Sequence, residues 1–130
     1  MTRPGTVLVV DDYADNRELF AEYLAFHGYV TTQAADGRAA LEEALSRPPD
    51  AVLMDLSLPG LDGWEVTRRL KADPRTRDTR IVALTGHALE DCARDAFDAG
   101  CDAFLTKPCP PEVLLRRLRE LLGDSTVAVA

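Results

Sequence analysis

Short apolar runs alternate along the chain with longer segments in which apolar residues recur every three or four positions. Apolar runs without polar alternation are typical of strands that helices cover on both faces. The segment from Tyr29 to Ala34 instead mixes apolar and polar residues, which predicts an edge strand with one wetter side. The five predicted strands are Thr6–Val10, Tyr29–Ala34, Ala51–Met54, Ile81–Leu84 and Ala103–Leu105.

A helical period follows each predicted strand, so the pattern predicts five helices. Gly28 and Gly100 can end helices as left-handed caps, Asp36 can cap the second helix, and Asp62 and Glu65 have capping-box spacing. For the fourth helix only a span is predicted, Leu89 to Ala99. The residues that carry the helical period elsewhere are Leu19, Phe20, Tyr23, Leu24 and His27 in the first helix, Ala40, Leu41, Ala44 and Leu45 in the second, Trp64, Val66, Thr67 and Leu70 in the third, and Leu114, Leu115, Leu118, Leu121 and Leu122 in the fifth.

Strand and helix therefore alternate five times with short connections. This alternation predicts an α/β domain with a parallel sheet and right-handed crossovers. A chain of 130 residues suits one domain. We expect that domain to cover residues 1–123 and the remainder, 124–130, to be a frayed tail. In open sheets of this kind, ligands bind outside the carboxyl ends of the strands.

Composition and charge narrow the class of protein. The chain is 46% apolar and 28% charged, like an ordinary globular domain, and no apolar run approaches the roughly 20 residues that cross a bilayer. The net charge of −7 repels nucleic acid and anionic membranes. The three cysteines have no metal-binding spacing and are expected to be reduced thiols. We expect a cytoplasmic protein that binds neither nucleic acid nor membrane.

Chemically active residues follow four of the predicted strands within two residues of the strand end: Asp11 and Asp12, Asp55, Thr85 and Lys107. Because the carboxyl ends of parallel strands meet at one sheet edge, we expect these side chains to share one small site. Mg²⁺ prefers hard oxygen ligands, and neighbouring acids raise one another's proton affinity unless a cation neutralises them. The pattern therefore predicts a magnesium site built from Asp11 or Asp12 together with Asp55.

A carboxylate in such a site can act as a nucleophile, because an Asp can attack phosphorus to form an aspartyl-phosphate. Asp55 is the best candidate, since it ends the most central and most apolar strand. The backbone carbonyl of Ser57 could give the metal another oxygen. The charge of Lys107 and the hydroxyl of Thr85 could hold the phosphoryl oxygens.

From about Val7 to Leu122 the pattern resembles the receiver domain of bacterial two-component response regulators, among them the chemotaxis receiver. The motifs that carry the resemblance are Asp11-Asp12, Asp55 followed four residues later by Pro59-Gly60, Thr85-Gly86, Lys107-Pro108 and the aromatic Phe104. The resemblance implies a flavodoxin-like, doubly wound sheet with strand order 2-1-3-4-5 and five helices. It also implies a cis peptide bond between Lys107 and Pro108.

The resemblance further implies a function. Asp55, with bound Mg²⁺, would take a phosphoryl group from a sensor histidine kinase, a histidine phosphotransfer protein or a small acyl phosphate, and lose it by slow self-hydrolysis. The protein would not be an enzyme acting on other substrates. Phosphorylation would draw Thr85 inward beside Gly86, and Phe104 would follow. The face of the fourth helix, fifth strand and fifth helix would then change shape and control binding of an unknown downstream protein.

Some readings stay open. His87 lies two residues after Thr85, where side chains in this family overhang the phosphate, so it is either a pH-sensitive modulator or an exposed residue at a helix start.

A haloacid-dehalogenase-like phosphohydrolase would place its nucleophile after the first strand as Asp-x-Asp-x-Thr, and that pattern is absent. A degenerate receiver that acts only as a binding module, and a flavodoxin-like electron carrier, are further alternatives. The receiver could stand alone or belong to a hybrid kinase or longer regulator.

Overall fold

A computed structural model describes residues 5–56, 63–86 and 98–123 of the protein. These residues form β1 (Thr6–Val10), α1 (Ala14–Phe26), β2 (Val30–Ala34), α2 (Gly37–Ser46), β3 (Ala51–Asp55), α3 (Gly63–Ala72), β4 (Arg80–Thr85), β5 (Ala103–Thr106) and the C-terminal helix (Pro111–Leu122). The predicted fourth helix, Leu89 to Ala99, lies mostly outside the described residues. None of the described helices combines the length and the apolar character that crossing a membrane requires.

All five strands are parallel and lie in the order β2-β1-β3-β4-β5, which confirms the predicted strand order. The strand β2 lies at an edge of the sheet, as its mixed pattern predicted. The chain crosses to one side of β1 to form β2 and to the other side to form β3. The order thus reverses between β1 and β3, and the residues at the carboxyl ends of those two strands are Asp11 and Asp55.

Two hydrophobic clusters cover the two faces of this sheet. Because side chains alternate along a strand, Val52 and Met54 of β3 pack with α2 and α3, whereas Leu53 packs with α1 and the C-terminal helix. Every residue of β3 is buried. A strand enclosed on both faces by well-packed helices has little freedom to move. It therefore holds the carboxylate at its end, Asp55, in a fixed position.

The helix ends follow the predicted signals, whereas several strand bounds differ by one residue and one helix position is more exposed than predicted. Gly28 has φ of 99°, and Asp36 Oδ1 accepts a hydrogen bond from Ala39 N at 2.8 Å, so both predicted caps are confirmed. The strand β2 begins at Val30 rather than Tyr29. Leu19 was predicted on the buried stripe of α1 but is 52% exposed, because the sheet covers only a narrower face of that helix, at Phe20, Ala21 and Leu24. The Asp62 half of the predicted capping box lies outside the described residues.

Candidate functional site

The carboxyl ends of the strands bring two buried carboxylates and one ammonium group together. Asp11 follows β1, Asp55 ends β3, and both are only 2% exposed. Lys107, which follows β5, places its Nζ 3.2 Å from Asp55 Oδ2 and 3.8 Å from Asp11 Oδ2. The structure thus brings these three side chains together at one sheet edge, as the sequence pattern predicted.

Asp12 completes an acidic cluster at the rim of this site, where it is exposed. Asp11, Asp12 and Asp55 each offer a carboxylate oxygen, and these oxygens lie within 4.8 Å of one another. Burial raises the pKa of Asp11 above its usual value; the Tyr13 N–H lowers it and the nearby Asp55 raises it. Three carboxylates around one ammonium carry an excess of negative charge on hard oxygen donors. The cluster can hold a divalent cation, which would neutralise that charge.

Backbone contacts fix Asp11 in place. Its N–H donates to Ala34 O at 3.1 Å, so the pairing with β2 continues one residue beyond the end of β1. Its Oδ1 accepts from Tyr13 N at 2.8 Å, and its carbonyl oxygen accepts from Arg17 Nη1 at 3.0 Å. The position of this carboxylate therefore depends on β2 and α1 as well as on its own strand.

Thr85 ends β4 beside these groups and is 3% exposed, and the exposed Gly86 follows it. The N–H of Lys107 donates to Thr85 O at 2.7 Å, which ties the segment after β5 to the end of β4. The peptide bond between Lys107 and Pro108 is cis. The predicted further metal ligand, Ser57, lies outside the described residues, and so does His87, whose two readings therefore stay open.

The aromatic residue of the predicted switch, Phe104, lies on β5 opposite Ala83 of β4. It is half-buried and packs against the hydrophobic cluster that contains Ala83 and Met54. Residues two apart on a strand share a face, so Thr85 lies on the same side of β4 as Ala83. Thr85 and Phe104 therefore lie on one face of the sheet, on adjacent strands.

A family model described as "Response regulator receiver domain" matches residues 7–119, which is most of the chain. The chain belongs to this family. The receiver is 38% identical over 129 residues to the phosphate regulon transcriptional regulatory protein PhoB of Pseudomonas aeruginosa, a match covering 95% of this chain but 56% of PhoB. It is 33% identical over 122 residues to the polar-differentiation response regulator DivK of Brucella anthropi, covering 94% of this chain and 99% of DivK.

The receiver fold also matches a crystal structure of the receiver domain of a sensor histidine kinase from Pseudomonas aeruginosa. The TM-score is 0.85 with 35% sequence identity, and the match covers 92% of this chain and 98% of that one. That crystal structure has a magnesium ion coordinated in its active site cleft. The matched relatives thus include both a response regulator as short as this chain and one nearly twice as long.

Gly63 is a residue of the receiver site that the sequence analysis missed. A Cβ on this first residue of α3 would lie 2.8 Å from the carbonyl oxygen of Asp55 and 3.1 Å from the Cα of Leu56. The start of α3 therefore packs directly against the backbone at the end of β3. A glycine at a helix start was the available signal, but the helix pattern alone does not indicate what that glycine contacts.

Gly63→Ala is expected to destabilise the receiver by about 1–3 kcal/mol, the usual effect of inserting a methyl group into a packed site. The added methyl meets backbone atoms that cannot rotate away, and this outweighs the gain of up to about 1 kcal/mol in helix propensity. The measurement is the free energy of unfolding in urea. Gly86→Ala is the control, because a Cβ there meets nothing within 4 Å. A Gly63→Ala protein as stable as the wild type would contradict the close contact.

Proposed function

We propose that this receiver accepts a phosphoryl group on the carboxylate of Asp55 from a phosphohistidine, carried by a sensor histidine kinase or a histidine phosphotransfer protein. The observation that supports it is the contact of Lys107 Nζ with Asp55 Oδ2 at 3.2 Å, within the cluster of three carboxylates. A buried carboxylate beside a fixed ammonium group suits a nucleophile whose attack adds negative charge at the same place.

Each side chain has one role in the proposed reaction. An oxygen of Asp55 attacks the phosphorus atom, the bond from phosphorus to the donor's histidine nitrogen breaks, and that nitrogen keeps the electron pair. The ammonium group of Lys107 stabilises the negative charge of the phosphoryl oxygens. The hydroxyl of Thr85 donates a hydrogen bond to one of those oxygens once the phosphoryl group is on Asp55.

The proposed cofactor is Mg²⁺, held by Asp11, Asp12 and Asp55 with the backbone carbonyl of Ser57. The donor set fits this ion, because carboxylate and carbonyl oxygens are the ligands that Mg²⁺ takes. When bound, Mg²⁺ supplies positive charge for the phosphoryl oxygens. The magnesium ion in the related histidine kinase receiver supports the same choice of metal.

The test is incubation of the purified receiver with acetyl phosphate, read by intact mass, in Mg²⁺ and in EDTA. We expect one phosphoryl group per chain in Mg²⁺ and none in EDTA. Equal uptake in EDTA would contradict the metal requirement. A chain that accepts no phosphoryl group from acetyl phosphate or from any phosphohistidine donor would instead be a degenerate receiver that acts only as a binding module.

Receiver domains are generally signalling modules rather than enzymes, and we propose that this one signals through its shape. Phosphorylation would reshape the surface formed by the predicted helix Leu89–Ala99, the strand β5 and the C-terminal helix, and so control binding of a downstream protein. Moving a two-state equilibrium from mostly off to mostly on needs roughly 5 kcal/mol. Charge-assisted hydrogen bonds from the phosphoryl group to Thr85 and Lys107, at about 1.5–3 kcal/mol each, are of that order.

Thr85→Ala is expected to leave phosphorylation of Asp55 largely intact but to remove the response of Phe104. The hydroxyl is the group through which the phosphoryl oxygen would pull on β4, and Phe104 packs on the same face one strand away. The measurement is the NMR signal of the Phe104 ring before and after phosphorylation.

Thr106→Ala is the matched control for this prediction. Thr106 pairs with Thr85 in the β4–β5 register but is exposed, so it should leave the Phe104 response unchanged. A full phosphorylation-dependent change at Phe104 in the Thr85→Ala protein would contradict the proposed coupling.

A further inference from the structure

Arg17 of α1 joins three elements next to the acidic cluster. Its Nη1 donates to the carbonyl oxygen of Asp11 at 3.0 Å, and its Nε donates to Gln33 Oε1 at 3.1 Å. Gln33 lies on β2, opposite Val9 of β1. One guanidinium group therefore connects α1, the residue that follows β1 and the edge strand β2.

The carbonyl group that Arg17 contacts belongs to the peptide unit that joins Asp11 to Asp12. Asp11 is also held at its N–H by Ala34 O and at its side chain by Tyr13 N. With its carbonyl fixed as well, the plane of this peptide unit cannot rotate freely. The side chain of Asp12 is exposed, so little packing holds it in place. The orientation of this peptide plane therefore sets the direction in which the Asp12 side chain points.

The contact with a carbonyl oxygen, rather than with a carboxylate, also has a consequence for charge. Lys107 Nζ contacts Oδ2 of Asp55 and approaches Oδ2 of Asp11, whereas the bond of Arg17 to Asp11 goes to a backbone carbonyl oxygen. Gln33 is neutral, and its Oε1 accepts from Arg17 Nε, which keeps the guanidinium group at this backbone site. Arg17 thus orders the cluster without using the oxygens that a cation would need.

We propose that Arg17, oriented by Gln33, is a positioning residue that fixes the Asp11–Asp12 peptide unit for binding of a divalent cation. This role rests on the proposed function, because it concerns the same metal site. Residues that orient metal ligands without touching the metal commonly change affinity by about 10- to 100-fold when they are mutated. A positioning role and a purely electrostatic role of Arg17 predict opposite signs. Loss of a positive charge beside a cation site strengthens cation binding, whereas loss of positioning weakens it.

The test is the dissociation constant for Mg²⁺, measured by calorimetric titration of the metal-free receiver. Arg17→Met is expected to weaken binding about tenfold, the low end of that range, despite the lost repulsion. Gln33→Met changes no charge and is expected to weaken binding in the same direction but less. Arg47→Met is the control, because it removes the same charge at a different place. Arg47 Nε donates to Glu43 Oε2 of α2 at 3.0 Å. This variant should bind Mg²⁺ as the wild type does.

The NMR signal of the Asp12 amide in the metal-free protein gives a second readout, which we expect to shift or broaden in Arg17→Met and Gln33→Met but not in Arg47→Met. A thermal midpoint lowered in Arg17→Met with an unchanged Mg²⁺ dissociation constant would overturn the positioning role, and so would tighter binding. If the wild type itself binds no Mg²⁺, both the positioning role and the proposed metal site fail. If the wild type binds Mg²⁺ and the Arg17 and Gln33 variants bind it equally well, only the positioning role is overturned.

Discussion

Asp55→Asn is expected to abolish phosphoryl uptake from acetyl phosphate while the protein stays folded. The amide has nearly the volume of the carboxylate and fits the same buried position, but it is not a nucleophile toward phosphorus. It also removes one of the two buried carboxylates that Lys107 approaches, so like-charge repulsion with Asp11 falls. The measurement is intact mass after incubation with acetyl phosphate and Mg²⁺, with circular dichroism to verify folding.

Asp36→Asn is the matched control for Asp55→Asn. The substitution is the same, Asp to Asn, but it lies at the N-cap of α2. An Asn there accepts the hydrogen bond from Ala39 N equally well. This variant should accept a phosphoryl group as the wild type does. Uptake by Asp55→Asn equal to that of Asp36→Asn would show that another side chain is the acceptor.

Lys107→Met is expected to slow phosphoryl uptake by about 10²- to 10³-fold, the usual effect of removing one preorganised donor from a site where charge develops. The methionine keeps the apolar stem but removes the ammonium group that lies 3.2 Å from Asp55 Oδ2. The measurement is the rate of uptake from acetyl phosphate at saturating Mg²⁺.

The same substitution at the other lysine, Lys71→Met, separates this effect from a loss of stability. Lys71 Nζ pairs with Asp102 Oδ2 at 3.0 Å and donates to Thr79 O at 2.7 Å, near the amino ends of β4 and β5. Loss of this half-buried pair should lower the unfolding midpoint but leave the rate of uptake unchanged. A decrease of less than tenfold in Lys107→Met would contradict a direct role of that ammonium group.

Four of the strands were predictable because their residues are apolar without alternation, which is typical of a sheet covered on both faces. The position of β2 at an edge followed from its polar residues, because an edge strand has a side that water reaches. The order of the strands came from the family resemblance, since apolar periodicity carries no information about neighbours. The convergence of Asp11, Asp55 and Lys107 followed from parallel strands sharing one carboxyl edge.

Other features depend on contacts that no local pattern encodes. Leu19 was misplaced because the width of the covered helix face depends on how α1 lies on the sheet. The approach of Gly63 to the backbone of Asp55 depends on the angle at which α3 starts. The bond from Arg17 to Gln33 joins two residues 16 positions apart on different elements, and neither has an apolar period that indicates it.

The most direct test of the central claim is the location of the phosphoryl group on the chain. Borohydride reduces an aspartyl-phosphate to homoserine, so treatment of the phosphorylated receiver followed by peptide mass mapping identifies the acceptor residue. We expect homoserine at position 55 alone, and only in protein exposed to a phosphodonor with Mg²⁺. Homoserine at position 11 or 12 instead, or at no position after full exposure to the donor, would contradict phosphorylation of Asp55.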